Sequence, residues 1–176
     1  MEGTKGPGFA KGIAILRLAV GGGFLFAGLE KWLEFGGGKP FSAAGFLKSA
    51  TGGTLPGSDP KTIVNPTHDF WVGLAGNEGL VTLINFLLVF GEIAIGVALV
   101  IGLATRFASY AGFLMMALFY VANFSFANGP FNQQFMYGIT CLVLAIVGAG
   151  EYYGLDAILD KMAFVKRAPA LRYVLA

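Results

Sequence analysis

A single carboxylate, Glu92, interrupts residues 80–104, which are otherwise uncharged. An ionised side chain is costly to hold in lipid, so Glu92 is expected to face other protein segments and to find a partner there. Ionisable groups in such apolar stretches usually take part in proton or ion chemistry. We therefore predict Glu92 as the catalytic residue, with a role in proton transfer.

Other polar side chains recur at helical spacing. Asn85 precedes Glu92 by seven residues, which puts both on about the same face of a helix. Two further stripes are Tyr120 with Asn123, and Gln133 with Tyr137, Thr140 and Cys141. Turned inward, the stripes would form a polar seam that binds a quinone head group or conducts protons. The alternative is interhelical hydrogen bonding, worth on average about 0.6 kcal/mol per contact in membranes.

Charged residues near the ends of the apolar stretches are candidates for anchoring or for substrate binding. Arg17 is expected to extend to the lipid head groups, or else to reach toward Glu92 across roughly 10 Å of depth. Glu30 and Lys31 are expected to pair with each other or to cap the mouth of the seam, where Lys31 attracts an anionic substrate. Arg106 is expected to serve as an ion-pair partner or an anchor.

The elements that carry these residues are predicted from long apolar runs. Residues 107–150 contain no Asp, Glu, Lys, Arg or His, and their one strong break is at Asn128, Gly129 and Pro130. A helical span needs only about 20 apolar residues. The predicted fold is all-α, an integral membrane four-helix bundle with spans at about 12–29, 80–104, 107–126 and 131–150. We expect the first span to be retained, because no signal-peptidase-like site follows it.

The remaining polar sequence falls into one long loop and a short tail. Residues 35–79 contain several Gly and Pro residues, which exclude one continuous helix, and two short stretches (41–50 and 69–76) are expected as amphipathic turns on the membrane surface. The Lys and Arg distribution predicts a membrane protein with both termini cytoplasmic and the loop outside. Residues 1–160 would form the membrane domain and residues 161–176 a basic cytoplasmic tail.

The composition excludes several classes of function. Charged residues make up 12% of the 176 residues and the net charge is +2, which together with the absence of a basic stripe argues against nucleic-acid binding. One cysteine and one histidine leave no residues for a thiolate metal cluster or a bis-histidine haem within one chain. No haem or metal is therefore expected in this chain.

Three sequence blocks resemble the signature blocks of the DoxX/DoxD family. They are LRLAVGGGFLFAGLEKW at 16–32, GEIAIGVALVIGLATR at 91–106 and GAGEYYGLDAIL at 148–159. The second block carries a Glu near the span centre and a GL-x-TR ending, and the third carries a G-x-G-x-x-x-G-LD pattern. The long loop and the ANGPFNQQF stretch are more similar to the DoxD branch.

The resemblance implies a four-helix membrane subunit of thiosulfate:quinone oxidoreductase, which works with a small DoxA-like partner. Quinone would then be a substrate bound near Glu92 by Asn85, Tyr120, Asn123 and Tyr137, in a complex or a homo-oligomer within the bilayer. The alternative is a non-catalytic accessory subunit of a larger respiratory or photosynthetic membrane complex. A transporter is a third possibility, although no inverted repeat is evident.

Overall fold

A computed structural model describes residues 6–36, 40–49, 65–124, 130–162 and 175 of this protein. All regular structure in these residues is helical. The helices are α1 (Pro7–Gly36), α2 (Ala43–Ser49), α3 (His68–Ala75), α4 (Glu78–Ile101), α5 (Thr105–Ala122), α6 (Gln133–Val147) and α7 (Asp156–Leu159), with a 3-10 turn at Ala149–Glu151 before α7. Three of them, α1, α4 and α5, are long and apolar enough to cross a membrane, which makes this a multi-pass membrane protein.

The fourth predicted span is shorter than expected. Helix α6 has 15 residues where the sequence suggested about twenty at 131–150, because side-chain and backbone features stop it at both ends. The side chain of Asn132 accepts a hydrogen bond from the Phe135 backbone N–H at its start, and Gly148 adopts a left-handed conformation with φ 64° at its end. Whether α6 crosses the membrane therefore stays a prediction.

The helices pack in antiparallel pairs, α1 against α4 and α5 against α6. Glycines allow the first pair to approach closely: a Cβ on Gly28 would lie 2.8 Å from the Ile93 backbone N, and a Cβ on Gly96 would meet the Leu25 backbone. The shared core contains the buried residues Val20, Phe24, Ile95, Leu99, Ala108, Met116, Cys141, Leu144 and Ala149.

The two ends of the molecule carry different short elements. At one end, called here the loop end, α2 and α3 pack on each other and on α4 through Ala43, Leu47 and Ala75. Asn65 ties this end to α5, because its side-chain amide donates to the carbonyls of Val121 and Ala122 at 3.1 and 2.8 Å. At the opposite end, called here the tail end, lie the start of α1, the α4–α5 connection and α7.

Several expectations can be compared with these elements. The two predicted short stretches of the loop are helical as α2 and α3, and both pack against the molecule rather than standing apart. The predicted turn at residues 128–130 lies largely outside the described residues, and so do residues 37–39 and 50–64 of the loop and most of the predicted basic tail.

Candidate functional site

Glu92 is buried and its partner is Lys31. The two Glu92 carboxylate oxygens lie 2.7 and 3.0 Å from Lys31 Nζ, which also donates to the Ala27 carbonyl at 3.3 Å. The Glu92 side chain is 3% exposed and that of Lys31 is 23% exposed. The expectation that Glu92 turns inward toward a partner is therefore met, whereas the expected pairing of Lys31 with Glu30 is wrong, because Lys31 pairs with Glu92 and Glu30 is exposed.

The antiparallel packing of α1 and α4 explains why these two side chains meet. Gly28 on α1 lies opposite Glu92 and Ile93 on α4, so the Lys31 backbone is about one turn nearer the loop end than the Glu92 backbone. Helical side chains lean toward the N-terminus of their own helix. In an antiparallel pair Lys31 therefore leans toward the tail end and Glu92 toward the loop end, and their tips converge.

A cavity of about 190 Å³ adjoins this pair, and we call it the Glu92 cavity. Besides Glu92 it is lined by Gly23, Phe24, Ala27, Met116, Phe119, Gln133, Gln134 and Tyr137. Glu92 is the one carboxylate among these residues, and the two glutamines and the tyrosine are neutral hydrogen-bonding groups. The Tyr137 hydroxyl lies beside Gly23, where an added Cβ would be 2.8 Å away. The cavity thus joins an ionised pair to neutral donors and acceptors.

A larger recess of about 930 Å³, called here the loop-end groove, runs between the end of α1, α2 and α4. One part of its lining is polar or charged and includes Lys48, Glu78 and Asn85. Another part is aromatic, with Trp32 packed edge to face on Phe90 and Phe86 next to Phe90, at ring distances of 5.3 and 4.4 Å. The groove therefore offers both polar and apolar contacts.

The remaining residues expected near the seam lie elsewhere. Asn85 lines the loop-end groove, and its side-chain oxygen accepts from the Ala43 backbone N–H at 2.8 Å, so that it caps α2. Tyr120 packs on Phe124 and Phe135 at ring distances of 5.8 and 5.9 Å, and Asn123 is the residue that ends α5. The structure thus brings Glu92, Lys31 and Tyr137 together but not Asn85, Tyr120 or Asn123.

Arg17 belongs to a second charged cluster at the tail end. Its side chain is 2% exposed, and its guanidinium donates to the carbonyls of Ala149 and Tyr153 at 3.4 and 3.2 Å. The expectation that it extends to the lipid head groups is therefore wrong. Arg17 also lies opposite Gly102, ten residues or about 15 Å of helix rise beyond Glu92, so it does not reach that carboxylate.

Asp156 supplies the opposite charge near Arg17. Its two carboxylate oxygens each accept a hydrogen bond at 2.8 Å, from the backbone N–H groups of Ala104 and Thr105 at the start of α5. A Cβ on Gly102, whose φ is 71°, would meet the Arg17 guanidinium, and a Cβ on Gly150 would meet the Asp156 carboxylate. We call this group the Arg17–Asp156 cluster.

Two of the residues that matter at these sites were not singled out from the sequence. Asp156 stands in the GLD motif, and Asp is a residue type that often caps the start of a helix, but nothing in the chain alone shows which helix it caps. Gln134 is adjacent to Gln133 and lines the Glu92 cavity although it is off the predicted stripe.

Arg106 lies at the tail end, where its backbone N–H donates to the Leu175 carbonyl at 2.9 Å.

Comparison of the chain with protein-family models, with curated proteins and with solved structures finds no match. Among the described residues there is also no group of three His, Cys, Asp or Glu side chains that could hold a metal ion. Any functional assignment therefore rests on the two charged clusters, the two recesses and the resemblance of the sequence blocks.

Proposed function

We propose that this chain is an integral membrane subunit of a quinone-linked oxidoreductase, similar to the DoxX/DoxD proteins, and that the quinone head group binds in the Glu92 cavity. The observation that carries the proposal is the buried Lys31–Glu92 ion pair beside a cavity with Gln133, Gln134 and Tyr137 in its wall. Ionisable groups held inside membrane proteins are typically part of a substrate or proton pathway.

The size and chemistry of the cavity support a head group as its occupant. Pockets for whole drug-sized ligands measure roughly 300–1,000 Å³, and a cavity of about 190 Å³ is closer to the size of a single substituted ring. Amide N–H groups and a phenolic hydroxyl can donate to quinone carbonyl oxygens. Phe24 and Phe119 supply flat apolar walls for the ring.

The proposed chemistry is the reduction of quinone to quinol, which takes up two electrons and two protons. Glu92, which is a carboxylate while it is paired with Lys31, takes up a proton from water and passes it to a head-group oxygen. A second round of the same uptake and transfer supplies the second proton. The electrons come from a sulfur oxyanion such as thiosulfate, where two anions release one electron each as they join through a sulfur–sulfur bond. A small extracytoplasmic partner of the DoxA kind would take part in this oxidation.

The residues that carry the family resemblance also contact one another, which supports using it. Arg17 from the first block meets Gly102 from the second and Gly154 from the third, and Asp156 from the third caps the helix that begins with Thr105. The proposal extends to the rest of the predicted arrangement: α6 as the fourth span, a prokaryotic plasma membrane, and both termini in the cytoplasm.

The proposal is tested with thiosulfate-dependent quinone reduction in membranes that contain the complete complex. Glu92→Gln keeps the shape of the side chain but cannot take up and release a proton, so turnover should fall by about a hundredfold or more, the usual contribution of a proton-transfer group. Glu34→Gln is the matched control, because Glu34 is an exposed carboxylate on α1. Full turnover in the Glu92→Gln variant would remove Glu92 from the mechanism.

A non-catalytic accessory subunit is the second candidate, favoured by an aromatic surface at the loop end. Phe131 is 74% exposed and packs edge to face on Phe135, which contacts Tyr120. Exposed aromatic groups of this kind can dock on another membrane subunit. In that case Phe131→Ala should release the chain from its complex during purification, whereas Glu92→Gln should change neither assembly nor activity.

A further inference from the structure

The Lys31–Glu92 pair stands between the two recesses. Ala27 and Glu92, which both accept hydrogen bonds from Lys31, line the Glu92 cavity. On its other side the Lys31 ammonium lies 5.6 Å from the centre of the Phe41 ring, and Phe41 lines the loop-end groove together with Trp32. The lysine ammonium thus lies between two residues of the cavity wall and one residue of the groove wall.

One face of α4 lines both the groove and the cavity. Val81, Asn85 and Val89 line the groove at intervals of four residues, and Glu92 follows Val89 by three residues in the wall of the cavity. These spacings put all four on one face of the helix. A ligand that moves along this face from the groove meets the ion pair before it reaches the cavity.

The two recesses differ in size in a way that matches the two parts of an amphiphile. The cavity has room for a ring-sized polar head only, whereas the groove is about 930 Å³ and has both charged and aromatic lining. Glu78 begins α4 and Phe90 lies twelve residues further on, so the groove follows the helix for about 18 Å.

We infer that Lys31 is a gate between the groove and the Glu92 cavity, and that the ligand is an amphiphile whose ring-sized polar head passes this gate while its long apolar tail stays in the groove. The assignment of the head group as a quinone rests on the function proposed above. The lysine is the movable member, because it is partly exposed and has a long flexible stem, whereas the glutamate is enclosed.

The gate is tested by the labelling of a thiol placed inside the cavity. Ala27→Cys introduces that thiol, and the unmodified chain is the background, because its one cysteine, Cys141, is buried. The reaction with N-ethylmaleimide is followed by mass spectrometry in lipid nanodiscs. If the lysine gate is open in about 10% of the molecules or fewer, the Lys31→Ala substitution, which leaves the gate always open, should speed labelling of the Ala27→Cys thiol about tenfold or more.

A second substitution tests the path. Ala44 lines the groove on α2, so Ala44→Trp should fill it and slow labelling several-fold, whereas Ala94→Trp, at an exposed position of α4, should not. If Lys31→Ala alone does not fold, Lys31→Ala with Glu92→Gln leaves no unpaired charge and gives the same readout. Unchanged labelling rates in both the Lys31 and the Ala44 variants would overturn the gate. The gate would also be overturned if Gln134→Trp, in the cavity wall, slowed labelling while Ala44→Trp did not, because the reagent would then enter by another route.

Quinone protection separates this inference from the proposed function. A tailless quinone and a long-tailed quinone should both protect the introduced thiol, and Ala44→Trp should abolish protection by the long-tailed compound only. Equal protection by both compounds in the Ala44→Trp variant would overturn the placement of the tail but leave the quinone site intact. If neither compound protects while the labelling rates still follow the gate, then the quinone assignment fails and the gate stands.

Discussion

The two ends of the molecule each join a cation on α1 to an acid from a later segment, yet the two arrangements are opposite in character. At the tail end Arg17 and Asp156 are 2% and 0% exposed, and glycines leave space for them that no side chain could share. Toward the loop end Lys31 is partly exposed, and a cavity and a groove adjoin its pair with Glu92. The first arrangement is enclosed on all sides, whereas the second has room to move.

The residue types agree with this difference. The guanidinium of Arg17 is rigid and has several donors, which suits the fixed carbonyls of Ala149 and Tyr153. Lysine is a single charge on a flexible stem, which suits an interaction that opens and closes. We conclude that the Arg17–Asp156 cluster holds the α4–α5 connection and α7 in place. The chemistry proposed above is assigned to the Lys31–Glu92 pair.

The largest effect on stability is expected at the tail end, from Asp156→Ala. This substitution leaves Arg17 without its nearby opposite charge and two backbone N–H groups of α5 without acceptors. Each buried donor left without an acceptor costs about 1–3 kcal/mol, and the loss of the charge near Arg17 adds to this cost. Chemical unfolding in detergent should show that loss, and Glu151→Gln, an exposed acid at the same end, should show almost none. Equal stability of the two variants would contradict the distinction between the ends.

The next effect comes from crowding the same cluster. Gly150→Ala places a Cβ against the Asp156 carboxylate, and overpacking of a filled site costs about 1–3 kcal/mol. Gly22→Ala is the matched control, because nothing lies within 4 Å of its added Cβ and a glycine inside a helix is less favourable than alanine. The free energy of unfolding should fall in the first variant and rise slightly in the second. A loss of the same size in both would mean that the tail-end packing is not specific.

A coupling of similar size is expected within the Lys31–Glu92 pair. In a double-mutant cycle of Lys31→Met and Glu92→Gln, the double variant should be more stable than the sum of the single effects predicts, with a coupling of about 1–3 kcal/mol. Lys31→Met combined with Glu151→Gln at the other end should be additive within about 0.5 kcal/mol. A coupling near zero for the first pair would show that the two charges do not interact in the membrane.

The smallest effect on stability should come from Gly23→Ala, where the added Cβ approaches the tip of Tyr137. That tip borders the Glu92 cavity and can move into it, so we expect a loss below about 1 kcal/mol. If the cavity holds the quinone head group proposed above, the moved hydroxyl would occupy its space and weaken quinone binding about tenfold, or 1.4 kcal/mol. Both are measured on one sample, by thermal unfolding and by quinone titration. A stability loss as large as that of Gly150→Ala would contradict the conclusion that the tail end is more tightly packed than the site beside the Glu92 cavity.

The inward position of Glu92 could be predicted from its apolar surroundings, but its partner could not. Lys31 becomes the partner only through the antiparallel register of α1 and α4, which depends on the close contacts at Gly28 and Gly96. Periodicity along one helix contains no information on that register. For the same reason the expected seam was only partly right: Tyr137 borders the cavity, while Asn85 faces the groove and caps α2.

The prediction for Arg17 failed for a related reason. A long cationic side chain near a helix end normally reaches toward the lipid head groups, and residue 17 alone gives no reason to expect otherwise. Its acceptors lie more than 130 positions further along the chain, in the segment that closes back on α1. Several helix ends were misplaced by three or four residues, although Asn77, Gly102, Asn132 and Gly148 are residue types that start or stop helices and could have located them.

The shortness of α6 has a consequence for the surrounding bilayer. Fifteen residues rise only about 22 Å, against a hydrocarbon thickness of about 30 Å. Once such a segment is embedded, lipid beside it thins or the polar residues at its start are drawn below the head-group plane. Gln133 and Gln134 are those residues, and they border the Glu92 cavity. This local thinning would bring bulk solvent close to Glu92 and, in the mechanism proposed above, shorten the route by which it takes up a proton.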